Sequence, residues 1–158
     1  MDNDAPCSKT KTPVVLEVCI SRQRGTKKYR IPEGVLIENH GIEGDAHAGA
    51  DTHRQVSLLG IESINKMKEL GLDPQPGMFA ENIIIRGLDL VSLKPGSRIS
   101  LGPRTVLEIT QIGKQCHTGC EISTLVGKCI MPEEGVFARV IRGGVVQKGD
   151  RITILTQQ

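Results

Sequence analysis

Lys94-Pro95-Gly96-Ser97-Arg98-Ile99-Ser100-Leu101-Gly102-Pro103-Arg104-Thr105-Val106-Leu107-Glu108-Ile109-Thr110-Gln111-Ile112 contains two turns and two strands. Proline presets φ and glycine tolerates the left-handed region, so Lys94-Pro95-Gly96 and Gly102-Pro103 are places where the chain reverses. Arg98 to Leu101 and Thr105 to Ile112 alternate apolar and polar side chains, the period of a half-buried strand. Two such strands across a short turn form an antiparallel hairpin.

Working outward, the same grammar recurs. Val14-Val15-Leu16-Glu17-Val18-Cys19-Ile20 and Ile83-Ile84-Ile85 are β-branched runs that read as strands buried on both faces for part of their course. Gly34 to Glu38 and Gln55 to Leu59 are shorter strand candidates. Ile61, Ile64, Met67 and Leu70 recur at helical spacing, and Gly71 stands where a left-handed cap belongs, which predicts one principal helix near residues 61 to 71. Gly96 to Leu101 is echoed by Gly149 to Ile154, but no fixed period continues, so no repeat is assigned. Many short strands with Gly-Pro punctuation predict a closed or nearly closed antiparallel β structure whose edges are hidden by closure.

The composition agrees. With no Trp, one Tyr and two Phe in 158 residues, the core must come from Val, Ile and Leu. So few aromatics, with a net charge of +2, argue against a nucleic-acid surface. Residues 1 to 12 are polar and read as a disordered tail, and residues 13 to 158 read as one domain. Neither a secretory signal nor a run of roughly 20 apolar residues is present, so the expectation is a cytoplasmic protein with no membrane partner. Five cysteines in a reducing compartment read as thiols, ligands or nucleophiles before they read as a disulfide frame.

Two segments carry chemistry. Ile112-Gly113-Lys114-Gln115-Cys116-His117-Thr118-Gly119-Cys120 follows a strand and sets Cys116 between Lys114 and His117, charges that favour the thiolate. The competing readings are a small buried thiol, or zinc held by Cys116, Cys120 and Cys129 with a histidine; only one close pair of cysteines exists, which speaks against zinc. The second segment is glycine-rich, His40 to Gly49. It lacks the Gly-Lys-Ser/Thr ending of a nucleotide loop. It offers Glu43, Asp45 and His47, with His53 and Arg54 beyond, groups able to move protons or hold oxyanions. Asp and His in a turn also satisfy backbone, and only their grouping favours a site.

Gly41-Ile42-Glu43-Gly44-Asp45-Ala46-His47, His53-Arg54-Gln55-Val56-Ser57-Leu58-Leu59, Pro76-Gly77-Met78-Phe79-Ala80-Glu81-Asn82, the Cys116 segment, and Met131 to Val140 with Gly143-Gly144 and Gly149-Asp150 together resemble the free-standing MOSC domains. These are domains of the molybdenum cofactor sulfurase C-terminal type. The resemblance spans about residues 14 to 155. It implies a mainly β, MOSC-type β-barrel with one principal helix and short helical turns. It also puts Cys116 where the family carries its shared cysteine, assigned in larger relatives to sulfur carriage or molybdenum ligation.

The resemblance implies that the chain handles molybdenum cofactor (molybdopterin). Cys116 would be its reactive residue and candidate metal ligand, with Glu43, Asp45, His47, Arg54, Asn82, Lys114 and His117 around the cofactor. Fused sulfurases carry a pyridoxal-phosphate cysteine desulfurase domain, for which these residues hold no counterpart. The expected sulfur donor is therefore a cysteine desulfurase in trans, and the expected acceptors are cofactor biosynthesis proteins or molybdoenzymes. Two alternatives stand beside a sulfur transferase: a small molybdenum-cofactor-dependent reductase fed by partner electron donors, and a zinc-stabilised interaction domain. Deletion of residues 1 to 11, which lie outside every matching block, is expected to leave the thermal midpoint unchanged; a large drop would show that the tail packs on the domain.

Overall fold

A computed structural model describes residues 12 to 113 and 134 to 155. In chain order these form β1 (Val14–Ile20), β2 (Tyr29–Ile31), β3 (Glu33–Ile37), β4 (Gly41–Ile42), β5 (Val56–Gly60), α1 (Ile61–Glu69), β6 (Ile83–Arg86), a short 3-10 turn (Leu90–Ser92), β7 (Arg98–Leu101), β8 (Thr105–Ile112), β9 (Val136–Arg142), β10 (Gly144–Gln147) and β11 (Ile152–Leu155). The protein is mainly β. An eight-stranded sheet runs β11-β7-β8-β9-β5-β6-β1-β2, and a three-stranded sheet runs β10-β3-β4.

The hairpin read from residues 94 to 112 is present, β7 pairing antiparallel with β8 in the register Leu101 to Thr105 through Arg98 to Glu108. Its echo has a structural counterpart, because β11 pairs antiparallel with β7, Ile154 opposite Ile99. One expectation needs correction. The pairing is not antiparallel throughout, since β5 and β6 run parallel, joined through α1. Nor does a sheet close into a barrel among the described residues. β1 and β11 meet through one isolated bridge, Val14 to Arg151, and nearby backbone bonds such as Val15 N to Asp150 O at 2.9 Å. The bridge falls at Arg151, one residue before β11 begins, and β11 itself ends four residues later.

Side-chain alternation builds two apolar layers. Val56 and Leu58, Ile83 and Ile85, Val136 and Ala138 point into a main core shared with Val18, Leu36, Ile42, Ile99, Leu107 and Val146. The intervening Leu59, Ile84 and Phe137 point the other way, onto Ile64 and Met67 of α1 and onto Phe79. The run Ile83-Ile84-Ile85 therefore serves both layers, which is why it carries no polar residue. Helix α1 begins without a side-chain cap, has Glu62 in its first turn and Lys66 and Lys68 in its last, and ends before Gly71 at φ +95°. Full burial of a side chain like Ile64 or Met67 contributes roughly 1.5–3 kcal/mol, so packing rather than capping holds this nine-residue helix. Among the described residues no helix is long and apolar enough to cross a membrane.

One polar side chain joins three strands. Asn82 Oδ1 accepts from Ser57 N at 2.9 Å and Ser57 Oγ at 3.1 Å, and Asn82 Nδ2 donates to Cys19 O at 3.0 Å. Asn82→Ala strands buried backbone groups on both β1 and β5, each costing about 1–3 kcal/mol. The expected loss is roughly 2–4 kcal/mol of unfolding free energy by urea titration; a loss under about 1 kcal/mol would mean water replaces the amide.

Candidate functional site: an arginine-walled pocket on the helix side

Among the described residues, the face of the sheet that carries α1 is not covered along its whole length. Beyond Phe79 and Phe137 it opens into a pocket of about 210 Å³ walled by Arg24, His47, Thr52, Arg54, Ser57, Ala80, Asn82 and Phe137. Arg24 comes from the β1–β2 loop, His47, Thr52 and Arg54 from the β4–β5 connection, Ser57 from β5 and Phe137 from β9. The Arg54 guanidinium lies 5.7 Å over the Phe137 ring, within reach of the ring's negative face. Arg24 Nε donates to Ala46 O at 3.4 Å. Two guanidinium groups and an imidazole on one polar pocket suit an anionic ligand. A larger cavity of about 310 Å³ next to α1 is walled by Glu62, Asp89 and Glu134, carboxylates that would repel such a ligand.

The loop that brings His47 in is anchored from below. Asp45 is buried and its Oδ1 accepts from Lys28 Nζ at 2.7 Å and from Ser21 N at 3.1 Å, while Oδ2 accepts from His47 N at 3.2 Å. Lys28 is 1% exposed at its side chain. Burial pulls the Lys28 ammonium below its ordinary value, and the Asp45 carboxylate opposes the shift. Lys28 is placed by Gly77, whose carbonyl accepts from Lys28 N at 2.8 Å. A Cβ at Gly77, φ +86°, would lie 2.0 Å from Lys28 O, so only glycine fits.

The turn from Gly77 to Asn82 forms the pocket's far side. Ala80 sits at φ +66°, a conformation that costs a non-glycine residue roughly 1–2 kcal/mol. Its neighbours hold it there. Glu81, fully buried, accepts from Gly77 N at 2.8 Å and Phe79 N at 3.0 Å. Burial lifts the Glu81 carboxyl from 4.5 to about 7, against the opposing pull of those N–H donors and of Lys28. Cys19, under the same turn, is pushed up to about 12 by burial and by Glu81 and Glu17, so its thiol stays protonated at neutral pH.

Of the residues singled out in the sequence, His47, Arg54 and Asn82 come together on this pocket. Asp45 lies beneath it as a support, and Glu43 is exposed outside it, its backbone N bonded to Val35 O at 2.8 Å. Lys114, Cys116, His117, Cys120 and Cys129 lie outside the described residues. No group of three or more His, Cys, Asp or Glu able to hold a metal occurs among the described residues. Sequence reasoning missed Arg24, Lys28, Thr52, Ser57 and Phe137. The only signal for the first two was the basic character of the loop from Ser21 to Lys28.

A family model described as the MOSC domain matches residues 43 to 153. The chain belongs to the MOSC domain family. Solved structures share the fold of this MOSC domain. The YUAD protein from Bacillus subtilis matches with a TM-score of 0.77 at 23% identity, over 94% of this chain and 98% of that one. YiiM from Geobacillus stearothermophilus matches at 0.70 and 14% identity, over 91% and 75%, and YiiM from Escherichia coli at 0.66 and 18%, over 94% and 71%. No curated protein matches the sequence. Membership of the family connects this MOSC domain with molybdenum cofactor.

Glu81 gives this MOSC domain a testable pH signature. Its folded-state value stands above the unfolded one, so folding takes up a proton between about 4.5 and about 7. The stability it contributes is present below that window and is lost as pH rises through it. The urea midpoint is expected to fall from about pH 5 to about pH 7.5, and Glu81→Gln to flatten that part of the profile; an unchanged slope in the variant would assign the effect elsewhere.

Proposed function

We propose that this MOSC domain binds the anionic end of molybdenum cofactor in the pocket of Arg24, His47 and Arg54, and carries sulfane sulfur or ligates molybdenum through Cys116. The observation that carries the reading is the convergence of two arginines and a histidine from two separate loops on one polar pocket. Molybdopterin is anionic at its phosphate and dithiolene, and guanidinium groups bind such oxygens through paired, charge-assisted hydrogen bonds. The described walls enclose about 210 Å³, less than the roughly 300–1,000 Å³ that takes in a drug-sized ligand. They fit one end of the cofactor, not the whole.

When bound, the cofactor supplies a redox-active metal and a position that accepts sulfur. The chain's own residues do the rest. Arg24 and Arg54 offset the ligand's charge, and Ser57 with Asn82 shapes the floor, the Asn82 amide being engaged by Ser57 and Cys19. Cys116 follows Gly113 by three residues, a reach of at most about 10 Å. Gly113 is tied to the pocket's rim, since Gln111 Nε2 donates to Gly113 O at 2.7 Å while Gln111 Oε1 bonds His53 Nε2 at 2.7 Å. Lys114 and His117 beside Cys116 favour the thiolate that takes sulfur from a persulfide. A cysteine desulfurase in trans is the proposed donor, and cofactor biosynthesis proteins or molybdoenzymes are the proposed acceptors.

Two measurements test the reading. In protein co-expressed with the cofactor's biosynthetic enzymes, Arg54→Ala should retain at least about tenfold less pterin, read by fluorescence after oxidation, because one charge-assisted hydrogen bond is worth roughly 1.5–3 kcal/mol. Equal pterin in both proteins would reject the pocket. Limiting iodoacetamide near neutral pH should label Cys116 ahead of Cys120, Cys129 and the buried Cys19, and Cys116→Ser should lose the persulfide left by a cysteine desulfurase and cysteine while remaining folded. Unfolding of that variant with release of zinc would replace the carrier by a structural metal.

A further inference from the structure

We propose that a second ligand site lies at a bulge in β1, where a cavity between β1 and α1 takes a small amphipathic anion, a compact apolar body with one anionic head. The cavity measures about 280 Å³. It shares no wall residue with the arginine pocket, so the assignment stands apart from the proposed cofactor site. Its apolar walls are Leu16 of β1, Ile61 and Ile64 of α1, Ile84 of β6, and Pro74 and Pro76 from the connection that follows α1.

The bulge makes the space. Val15 pairs with Ile85 and Glu17 with Ile84, so Leu16 and Glu17 together stand against one residue of β6. Val15 and Val18 belong to the main core, and the extra residue between them leaves both Leu16 and Glu17 half-buried on the cavity. Opposite them α1 ends at Glu69, and the chain returns through buried Pro74 and half-buried Pro76. Neither proline has an N–H, so this wall brings no amide donor from those two positions. Ile64 and Ile84 are buried in the helix-side layer, with Leu16 and Ile61 packed against them. An apolar cavity of roughly 150 Å³ already takes benzene, and the space here is larger.

The rim carries the charge. Lys68 from the last turn of α1 and Lys148 from the β10–β11 turn are exposed and line the cavity. Among the described residues neither is paired with a carboxylate. Their stems extend the apolar wall while their ammonium groups stay at the water side. Glu17 is the one carboxylate on the lining, and Arg30 lies 3.7 Å from it and offsets its charge. Apolar walls with two cations at the mouth select a ligand that is carbon at one end and anionic at the other. An inorganic anion would gain nothing from the walls. A partner's helix would need anchor points spaced over several turns, and this cavity holds one apolar body.

Titration of the full chain with octanoate, followed in methyl spectra labelled at isoleucine and leucine, tests the site. Saturable shifts are expected at Leu16, Ile61, Ile64 and Ile84. Hexanoate should bind roughly tenfold more weakly, since each buried methylene is worth about fourfold. Lys68→Glu combined with Lys148→Glu, both at exposed positions, should weaken octanoate at least about fivefold and leave the neutral 1-octanol within about twofold. Octanoate held equally well by that variant would overturn the anionic head and leave a slot for a neutral ligand or a partner's side chain. Leu16→Phe should fill the cavity from β1 and abolish binding; should that variant not fold, Ile61→Phe fills it from α1. Undiminished binding in the filled variant, shifts confined to other methyls, or no saturation in the millimolar range would overturn the site itself.

Discussion

A single carboxamide fixes where the two ladders of the central sheet begin. Asn82 precedes β6, and the residue after it, Ile83, pairs with Val18 of β1 on one side and Leu58 of β5 on the other. At that point β6 must run antiparallel to one neighbour and parallel to the other, and the two hydrogen-bond patterns do not match. Asn82 closes the mismatch. Its side chain bonds Ser57 and Cys19, its backbone N donates to Ser57, and its carbonyl accepts from Cys19 N at 2.6 Å. A hydrophobic residue of equal size would keep the backbone bonds but leave Ser57 N and Cys19 O without the side-chain partner they have here, so the position favours an amide. Because Ser57 and Asn82 also floor the pocket, the sheet's registration and the site's geometry are set by one interaction.

How much of this was legible in the sequence depended on range. The β7–β8 hairpin and α1 were legible because turn residues and side-chain period act over a few positions, and Gly102 and Gly71 mark their ends. The parallel β5–β6 pair was not, since a period of two fixes which face is buried and says nothing of the partner. The bridge between Val14 and Arg151 was hidden for the same reason, since it joins the two ends of the described chain. At the site, His47, Arg54 and Asn82 stood out by grouping and by family resemblance. Lys28 did not, because a lysine reads as surface unless its carboxylate partner is known, and Asp45 lies 17 residues away. Phe137 was not singled out, because an aromatic in a strand carries no local sign that it will serve both a core layer and a pocket wall.

The buried Lys28–Asp45 pair is a doubtful source of stability, since desolvating two charges offsets most of their attraction. Its position argues for another use. Asp45 ties the end of β1, through Ser21, to the loop bearing His47, and Lys28 ties both to Gly77 and so to the turn leading into Asn82. Three segments distant in sequence are thereby held at fixed separations on the side where the pocket opens. Apolar contacts could hold them together equally well, but they would not orient an imidazole.

The helix-side layer joins that geometry to the segment containing Cys116. Phe137 belongs to the cluster under α1, carries Arg54 on its ring and pairs across β9 with Gln111 of β8. Gln111 reaches both His53, next to Arg54, and Gly113, the last described residue before the cysteine segment. On the far side Gly113 N donates to Gly135 O at 2.7 Å, so the segment leaves and rejoins the sheet at one point. Both of its ends are thus fixed by the β8–β9 ladder beside the pocket, whatever path lies between them. Arg54 cannot shift without disturbing Phe137, and Phe137 cannot shift without disturbing Gln111 and, through it, Gly113. The arginine pocket and the two anchor points of residues 114 to 133 are therefore tied to the same pair of strands.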